Sequence, residues 1–196
     1  AELSQDENML EAFRLGHDIH KATAAKVYGL PLEEVTSDQR RNAKAVNFGI
    51  IYGQSAFGLS QNLGISRKEA AEIITQYFNQ YHGIKDYMSR CIESAKENGY
   101  VETILKRRRY LRDINSANMT IRGFAERNAI NAPIQGSAAD MIKVAMINIQ
   151  NDIKAHKLKG MMIMQVHDEL VFDVPKDERA IFKEIISNRM KTASEF

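Results

Sequence analysis

The stretch RRNAKAVNFGIIYG, Arg40 to Gly53, decides how this sequence is read. On a helix turning about 100° per residue, Arg40, Lys44, Phe48 and Tyr52 fall one turn apart and drift slowly round one face, with Asn47 and Ile51 beside them. That face carries two cations and then two aromatic rings. At ~1.5 Å per residue, Arg40 to Phe48 spans ~12 Å, roughly the length of a nucleoside triphosphate from outer phosphate to sugar. Thr36 with Gln39 three residues on fits a capping box, which leaves the first-turn N–H groups and their partial positive charge beside Arg40 and Arg41, where an anion is favoured. The spacing alone also fits an amphipathic core helix with a solvated basic first turn.

The chain has 196 residues, 44% of them hydrophobic, enough to bury a core in one or two compact units. A formal charge of +2 is too mild to mark a nucleic-acid binder, so the distribution of basic residues matters more. Lys106, Arg107, Arg108, Arg109 and Arg112 place five cations within seven residues, which reads as a backbone-binding patch or as a solvated surface turn. The single cysteine, Cys91, excludes an internal disulfide and fits a reducing cytosol. With no signal-peptide layout and no apolar run of about 20 residues, a soluble, cytoplasmic protein without a membrane partner is expected.

In chain order, Ser4 with Glu7 forms a capping box that opens a short helix packing Met9, Leu10 and Phe13 as core and stopping at Gly16. Asp18 caps a helix to Gly29 and places His20 in its first turn. A short helix from Ser55 to Leu63 follows. Ser66 with Glu69 then caps a longer one carrying Ala70, Ile73, Ile74, Tyr77 and Phe78, broken at His82-Gly83 before a further helix to Asn98 with Gly99 as its stop. Val101 to Leu111 reads as a hairpin with the basic cluster at its tip.

From Asn118 to His156 the pattern is helical, and Pro133 is expected to kink it, helped by Gly136. Arg127, Asn131 and Gln135 lie four apart on one side, and all can donate to phosphates or to the acceptors every base pair shows in the minor groove. A polar solvated stripe is the other reading. Met161 to Val166 and Glu169 to Val174 read as strands joined by a tight reversal and closed by Pro175. Carboxylates at such a reversal must be solvated, paired or bound to a cation. A final amphipathic helix runs from Lys176 to about Thr192.

Three stretches carry a resemblance: Arg40-x-x-x-Lys44 with Asn47-Phe48-Gly49-x-x-Tyr52-Gly53, ERNAINAPIQGSAAD from Glu126 to Asp140, and VHDEL from Val166 to Leu170. In this order they resemble family A DNA polymerases over nearly the whole chain. The resemblance implies a predominantly helical α+β fold, with fingers helices and part of a palm bearing short antiparallel hairpins. It divides the chain into a palm piece at 1–15, fingers at 16–115 and the remainder of the palm at 116–196. It implies that His20, Arg40 and Lys44 hold the triphosphate of a dNTP, that Phe48 packs on its sugar and base, and that Tyr52 lies by the templating position. Arg41, Arg127, Asn131, Gln135 and His167 are then contacts to primer-template DNA. Family members usually carry glycine where this sequence has Lys106.

The implied reaction is template-directed transfer of a deoxynucleotide to a primer 3′-OH, using two Mg²⁺ ions held by two aspartates. Asp168 matches one of these, with Glu169 in support and Lys44 assisting at the phosphates. In the family the other aspartate lies just upstream of the segment that Ala1 to Ser4 resembles, so this chain alone is expected not to extend a primer. The intact enzyme is expected to be a monomer, and Ser194-Glu195-Phe196 reads as a cloning remnant. Three alternatives stay open: a single-subunit phage-type RNA polymerase, which lacks the match at Phe48 and the His-Asp-Glu triplet; a metal phosphohydrolase using His17, Asp18, His20, His167 and Asp168; and a non-catalytic DNA-binding module.

Overall fold

Residues 1–193 are described by a computed structural model, mainly helical with two short antiparallel hairpins. The three residues read as a cloning remnant lie outside the described range. The chain partitions into two compact units, one built from Ala1–Val101 with Arg108–Ala132 and the other from Glu102–Arg107 with the chain from Pro133 onward.

In the first unit, α1 spans Glu7–Arg14 and α2 spans Ile19–Tyr28. The expected Ser4 cap is corrected: Asp6 occupies the N-cap and accepts from the Met9 N–H, because Ser4 turns its hydroxyl to the Ala1 carbonyl at 2.9 Å. The second Asp6 oxygen accepts from the Gly83 N–H at 2.9 Å. Phe13, expected in the core, is 55% exposed, since the α1 stripe that turns inward carries Met9 and Ala12 instead. Asp18 caps α2 as expected, and Gly29 ends it in the left-handed conformation glycine adopts without steric cost.

Helix α3 spans Ser37–Ile51 behind the Thr36–Gln39 capping box, α4 spans Ala56–Leu63, and α5 spans Arg67–Gln80 behind a second box from Ser66 and Glu69. Helix α6, His82–Asn98, follows after Tyr81. These helices enclose Met9, Val46, Ile50, Leu59, Tyr77, Tyr81 and Ile84, each large side chain contributing about 1.5–3 kcal/mol by leaving water. This core fixes which face of α3 turns inward: Ala43, Val46, Asn47 and Ile50 are buried, while Arg40, Lys44, Phe48 and Tyr52 are exposed.

Strands β1 (Tyr100–Glu102) and β2 (Arg108–Tyr110) form the first hairpin. Its turn holds Lys106 at φ 62°, a left-handed position that glycine would fill with less strain. Helix α7, Met119–Ala155, remains helical through Pro133, where the two units divide.

In the second unit, the 102–107 segment lies against α7 at Gly136, where a Cβ would come within 2.6 Å of Thr103 Cγ2. Gly136, expected to assist a kink, therefore has a packing role. Strands β3 (Met161–Val166) and β4 (Glu169–Asp173) pair antiparallel, with Val166 opposite Glu169. Leu170 and Phe172, alternate residues of β4, pack with Ile149 and Ile153 of α7 and with Phe182 and Ile185 of α8, Arg179–Lys191. Arg189 ties α8 to α7 through Asp152, Nε to Oδ2 at 2.6 Å and Nη2 to Oδ1 at 3.0 Å. Among the described residues no helix is long and apolar enough to cross a membrane.

Candidate active site

Five residues singled out in the sequence share the first unit's α2–α3 face. Arg40 Nε and Nη2 both reach Asp18 Oδ2, at 2.9 and 2.6 Å, while Asp18 Oδ1 accepts from the His20 and Lys21 N–H groups at 3.0 Å each. One carboxylate thus caps α2 and holds the cation of α3. The hydrogen bond from Arg40 is the main force holding the Asp18 carboxyl below its ordinary pKa, with burial opposing it and the Lys21 and His20 N–H groups adding to it. Lys44 is exposed one turn further on, and no ion pair engages it among the described residues. Arg41 instead pairs with Asp38 at 2.9 Å, fully in the solvent.

Beyond the cations the face becomes aromatic. The Phe48 ring lies 5.7 Å from His20 and 6.2 Å from Tyr52, stacked on the latter at 11° between planes. Phe48 is 46% exposed and Tyr52 43% exposed, an open apolar surface next to two cations. Half-buried His20 has its pKa pushed down, chiefly by burial and further by the charges of Arg40 and Lys44, with Asp18 opposing. Such a face can take the phosphates of an anion at one end and a planar or sugar group at the other.

The end of α3 is shaped by glycine. Gly53 sits at φ 70°, and a Cβ there would meet Arg127 Cγ at 2.7 Å, so the Arg127 stem lies directly on this turn. Gly49 and Gly58 both make room for Gln54, whose Oε1 would be 2.3 Å from a Cβ at Gly49 and whose Cγ 2.8 Å from one at Gly58. One turn of α7 past Arg127, Asn131 is half-buried and its Oδ1 has no hydrogen-bond partner among the described residues.

In the second unit, Gln135 is exposed on α7, and His167, Asp168 and Glu169 are exposed at the β3–β4 tip. His167 adopts φ 53° and Asp168 completes the two-residue reversal. Asp168 also borders a cavity of about 180 Å³ lined by Ala138, Met141, Ile142, Ala145, Met190 and Ala193. The basic hairpin divides its cations between tasks. Arg107 is anchored to Asp140 Oδ1 at 2.9 Å and to the Gly136 carbonyl at 3.1 Å, and Lys106 lies 3.7 Å from Glu102. Arg108 of the first unit lies over the Tyr100 ring at 4.3 Å.

Among the described residues, no three His, Cys, Asp or Glu side chains come together in a way that could hold a metal ion. Asp18, which the metal phosphohydrolase alternative enlists, is committed to Arg40 and to capping α2. Sequence reasoning missed Thr23 and Tyr81, which join Asn47 and His20 through hydrogen bonds of 3.0–3.2 Å. A threonine amid alanines and a tyrosine at a helix junction give no periodic signal of such a network.

The chain is similar to known proteins over nearly its whole length. The family model described as DNA polymerase family A matches residues 1–196. The chain is 53% identical over 194 residues to DNA polymerase I of Streptococcus pneumoniae serotype 4 (strain ATCC BAA-334 / TIGR4), covering 98% of this chain and 22% of that protein. It is 51% identical over 193 residues to DNA polymerase I of Bacillus subtilis (strain 168), with coverage of 98% and 22%. Among solved structures, the POL domain of Pol1 from M. smegmatis in complex with DNA primer-template and dNTP matches with a TM-score of 0.93 at 44% identity, over 99% of this chain and 34% of that one. The chain thus spans about a fifth of the length of the curated relatives it matches.

Proposed function

The chain belongs to DNA polymerase family A, and we propose that it supplies the dNTP-binding fingers and part of the palm of a DNA-directed DNA polymerase. In this reading residues 16–115 serve as fingers, and 1–15 with 116–196 serve as palm. The observation that carries the reading is the α2–α3 face, where His20, Arg40 and Lys44 precede the stacked pair Phe48 and Tyr52 on one exposed surface. Arg40 and Lys44 would hold the triphosphate, Phe48 the sugar and base, and Tyr52 the templating side. The solved relative, described as a complex with primer-template and dNTP, supports the choice of ligands.

DNA contacts fall to Arg41, Arg127, Asn131, Gln135 and His167, all polar side chains able to donate to phosphates or minor-groove acceptors. Asn131 presents a buried carbonyl with no hydrogen-bond partner among the described residues, a group that gains most from an incoming donor. The reading extends to a cytoplasmic, monomeric enzyme of replication or repair.

The family's two Mg²⁺ ions fit the described residues only in part. Asp168 offers an exposed hard oxygen donor with Glu169 beside it, and these two carboxylates are not joined by a third ligand among the described residues. When bound, such ions lower the pKa of an attacking hydroxyl and neutralise a leaving phosphate. This chain's own residues hold the nucleotide, offer the Phe48 and Tyr52 rings as an apolar surface beside its phosphates, and set a carboxylate at the tip of a hairpin.

The test is a chimera in which residues 1–196 replace the matching segment of one of the curated DNA polymerase I relatives. Primer extension by the chimera, lost on Asp168→Ala with DNA binding retained, is expected. A folded, DNA-binding chimera that extends normally with Asp168→Ala would refute the assignment of Asp168.

A further inference from the structure

Asn47 faces inward from α3, only 4% exposed, yet it touches the nucleotide face through His20. Its Nδ2 lies 3.0 Å from His20 Nδ1 and 3.1 Å from Thr23 Oγ1. The Thr23 hydroxyl makes its shortest contact, 2.8 Å, with the Ile19 carbonyl one turn back, which can only accept. Thr23 Oγ1 is then an acceptor for the Tyr81 hydroxyl at 3.2 Å and for the Asn47 amide. In this orientation both amide hydrogens of Asn47 find acceptors, Thr23 and His20. Asn47 Oδ1 also lies 3.2 Å from Thr23 Oγ1, so with the amide reversed one N–H would still reach Thr23 while the second would be buried without a partner. An imidazole nitrogen that faces an N–H carries its lone pair there, so the ring proton resides on the other nitrogen.

We propose that Asn47 is a positioning residue that holds His20 neutral with its proton on Nε2, so that the imidazole offers an N–H donor to the phosphate oxygens of a bound nucleotide. This rests on the nucleotide reading of the α2–α3 face. Among the described residues Nε2 has no hydrogen-bond partner, which leaves it available to a ligand. The charged groups around the ring agree: Arg40 and Lys44 on α3 disfavour a third cation, as burial does, and only Asp18 at the start of α2 favours one. Tyr81 is held in its donor form because burial pushes its hydroxyl pKa up. A neutral donor adds a hydrogen bond to the anion without adding repulsion between cations.

The experiment uses the chain labelled with ¹⁵N-histidine, free of ligand, at about one pH unit above the ordinary imidazole pKa. Two-bond ¹H–¹⁵N correlations report which ring nitrogen is protonated, and His20→Ala assigns the signals. Wild type is expected to show His20 protonated on Nε2. In Asn47→Asp, whose carboxylate has the same shape but only accepts, the proton is expected to move to Nδ1. A wild-type His20 protonated on Nδ1, or an Nε2–H form unchanged in Asn47→Asp, would overturn the proposal. If Asn47→Asp does not fold, the wild-type tautomer alone decides.

Calorimetry with dATP supplies the second readout. Asn47→Ala should weaken binding about tenfold in the wild-type background and not at all in a His20→Ala background. Equal losses in both backgrounds would overturn a role exerted through His20. A wild-type chain that binds no dATP would count against the nucleotide reading itself, whereas the wrong tautomer with dATP binding intact would count against Asn47 alone.

Discussion

Arg40 and Asp18 form an ion pair that is also a helix cap: one oxygen of Asp18 takes both Nε and Nη2 of Arg40, at 2.9 and 2.6 Å, and the other takes two N–H groups of α2. The cation that would grip a triphosphate is thus held in place by an anion the ligand must compete with. Asn caps helices as well as Asp does, so Asp18→Asn keeps α2 closed and removes only the competing charge. An exposed pair of this kind contributes about 0.2–1 kcal/mol. Triphosphate binding to Asp18→Asn is therefore expected to tighten about 1.5- to 5-fold by calorimetry. Weaker binding would mean that Asp18 assists the ligand instead of competing with it.

Arg107 plays a structural part within the second unit. Its guanidinium is half exposed, but its partner Asp140 is only 6% exposed. Burial works to raise the Asp140 carboxyl, and the Thr103 hydroxyl with the Arg107 guanidinium overcomes it, holding the pKa below its ordinary value. Removing the cation in Arg107→Ala should cost about 1.5–3 kcal/mol in urea unfolding, as for a hydrogen bond to a charged group. Asp140 gives its stability above its unfolded pKa and loses it as pH falls through the folded value. In Arg107→Ala that loss is expected at higher pH, and an unchanged acid transition would show that Asp140 is held by other groups.

His20 gives the opposite half of the pH profile. Its folded pKa lies below its unfolded value of about 6.5, so on acidification the unfolded chain takes up a proton before the folded chain does. Stability is therefore full above that unfolded value and falls as pH drops from it towards the folded pKa. His20→Gln is expected to flatten this part of the stability profile. A slope that persists in His20→Gln would place the titrating group elsewhere.

The helix ends were legible because each is a local event. Thr36–Gln39, Ser66–Glu69, Asp18, Gly29 and Gly99 act through neighbours within a turn, and the structure places each as the pattern requires. The exposed face of α3 was legible for the same reason, since helical period alone aligns Arg40, Lys44, Phe48 and Tyr52. Contacts between distant residues were not. Asp6 displaced Ser4 as a cap partly because it also bonds Gly83, 77 residues away, a partner no local pattern reveals. Phe13 fits the apolar period of α1, but the face that turns inward carries Met9 and Ala12 and leaves Phe13 in the solvent. The bonds from Arg40 to Asp18 and from Asn47 to His20 and Thr23 depend on how α2 packs on α3. The tip residues His167, Asp168 and Glu169 stood out because charge between two apolar strands can only be a reversal, and the structure places them there.

Titration of this chain with dATP, beside Lys44→Ala, tests the central claim most directly. Lys44 is exposed, aligned with Arg40 and free of ion pairs among the described residues, so its removal disturbs little besides the proposed phosphate subsite. The account predicts measurable binding by the wild-type chain, weakened in Lys44→Ala by about 1.5–3 kcal/mol, or roughly 10- to 150-fold. Equal affinity of the two chains for dATP would contradict it.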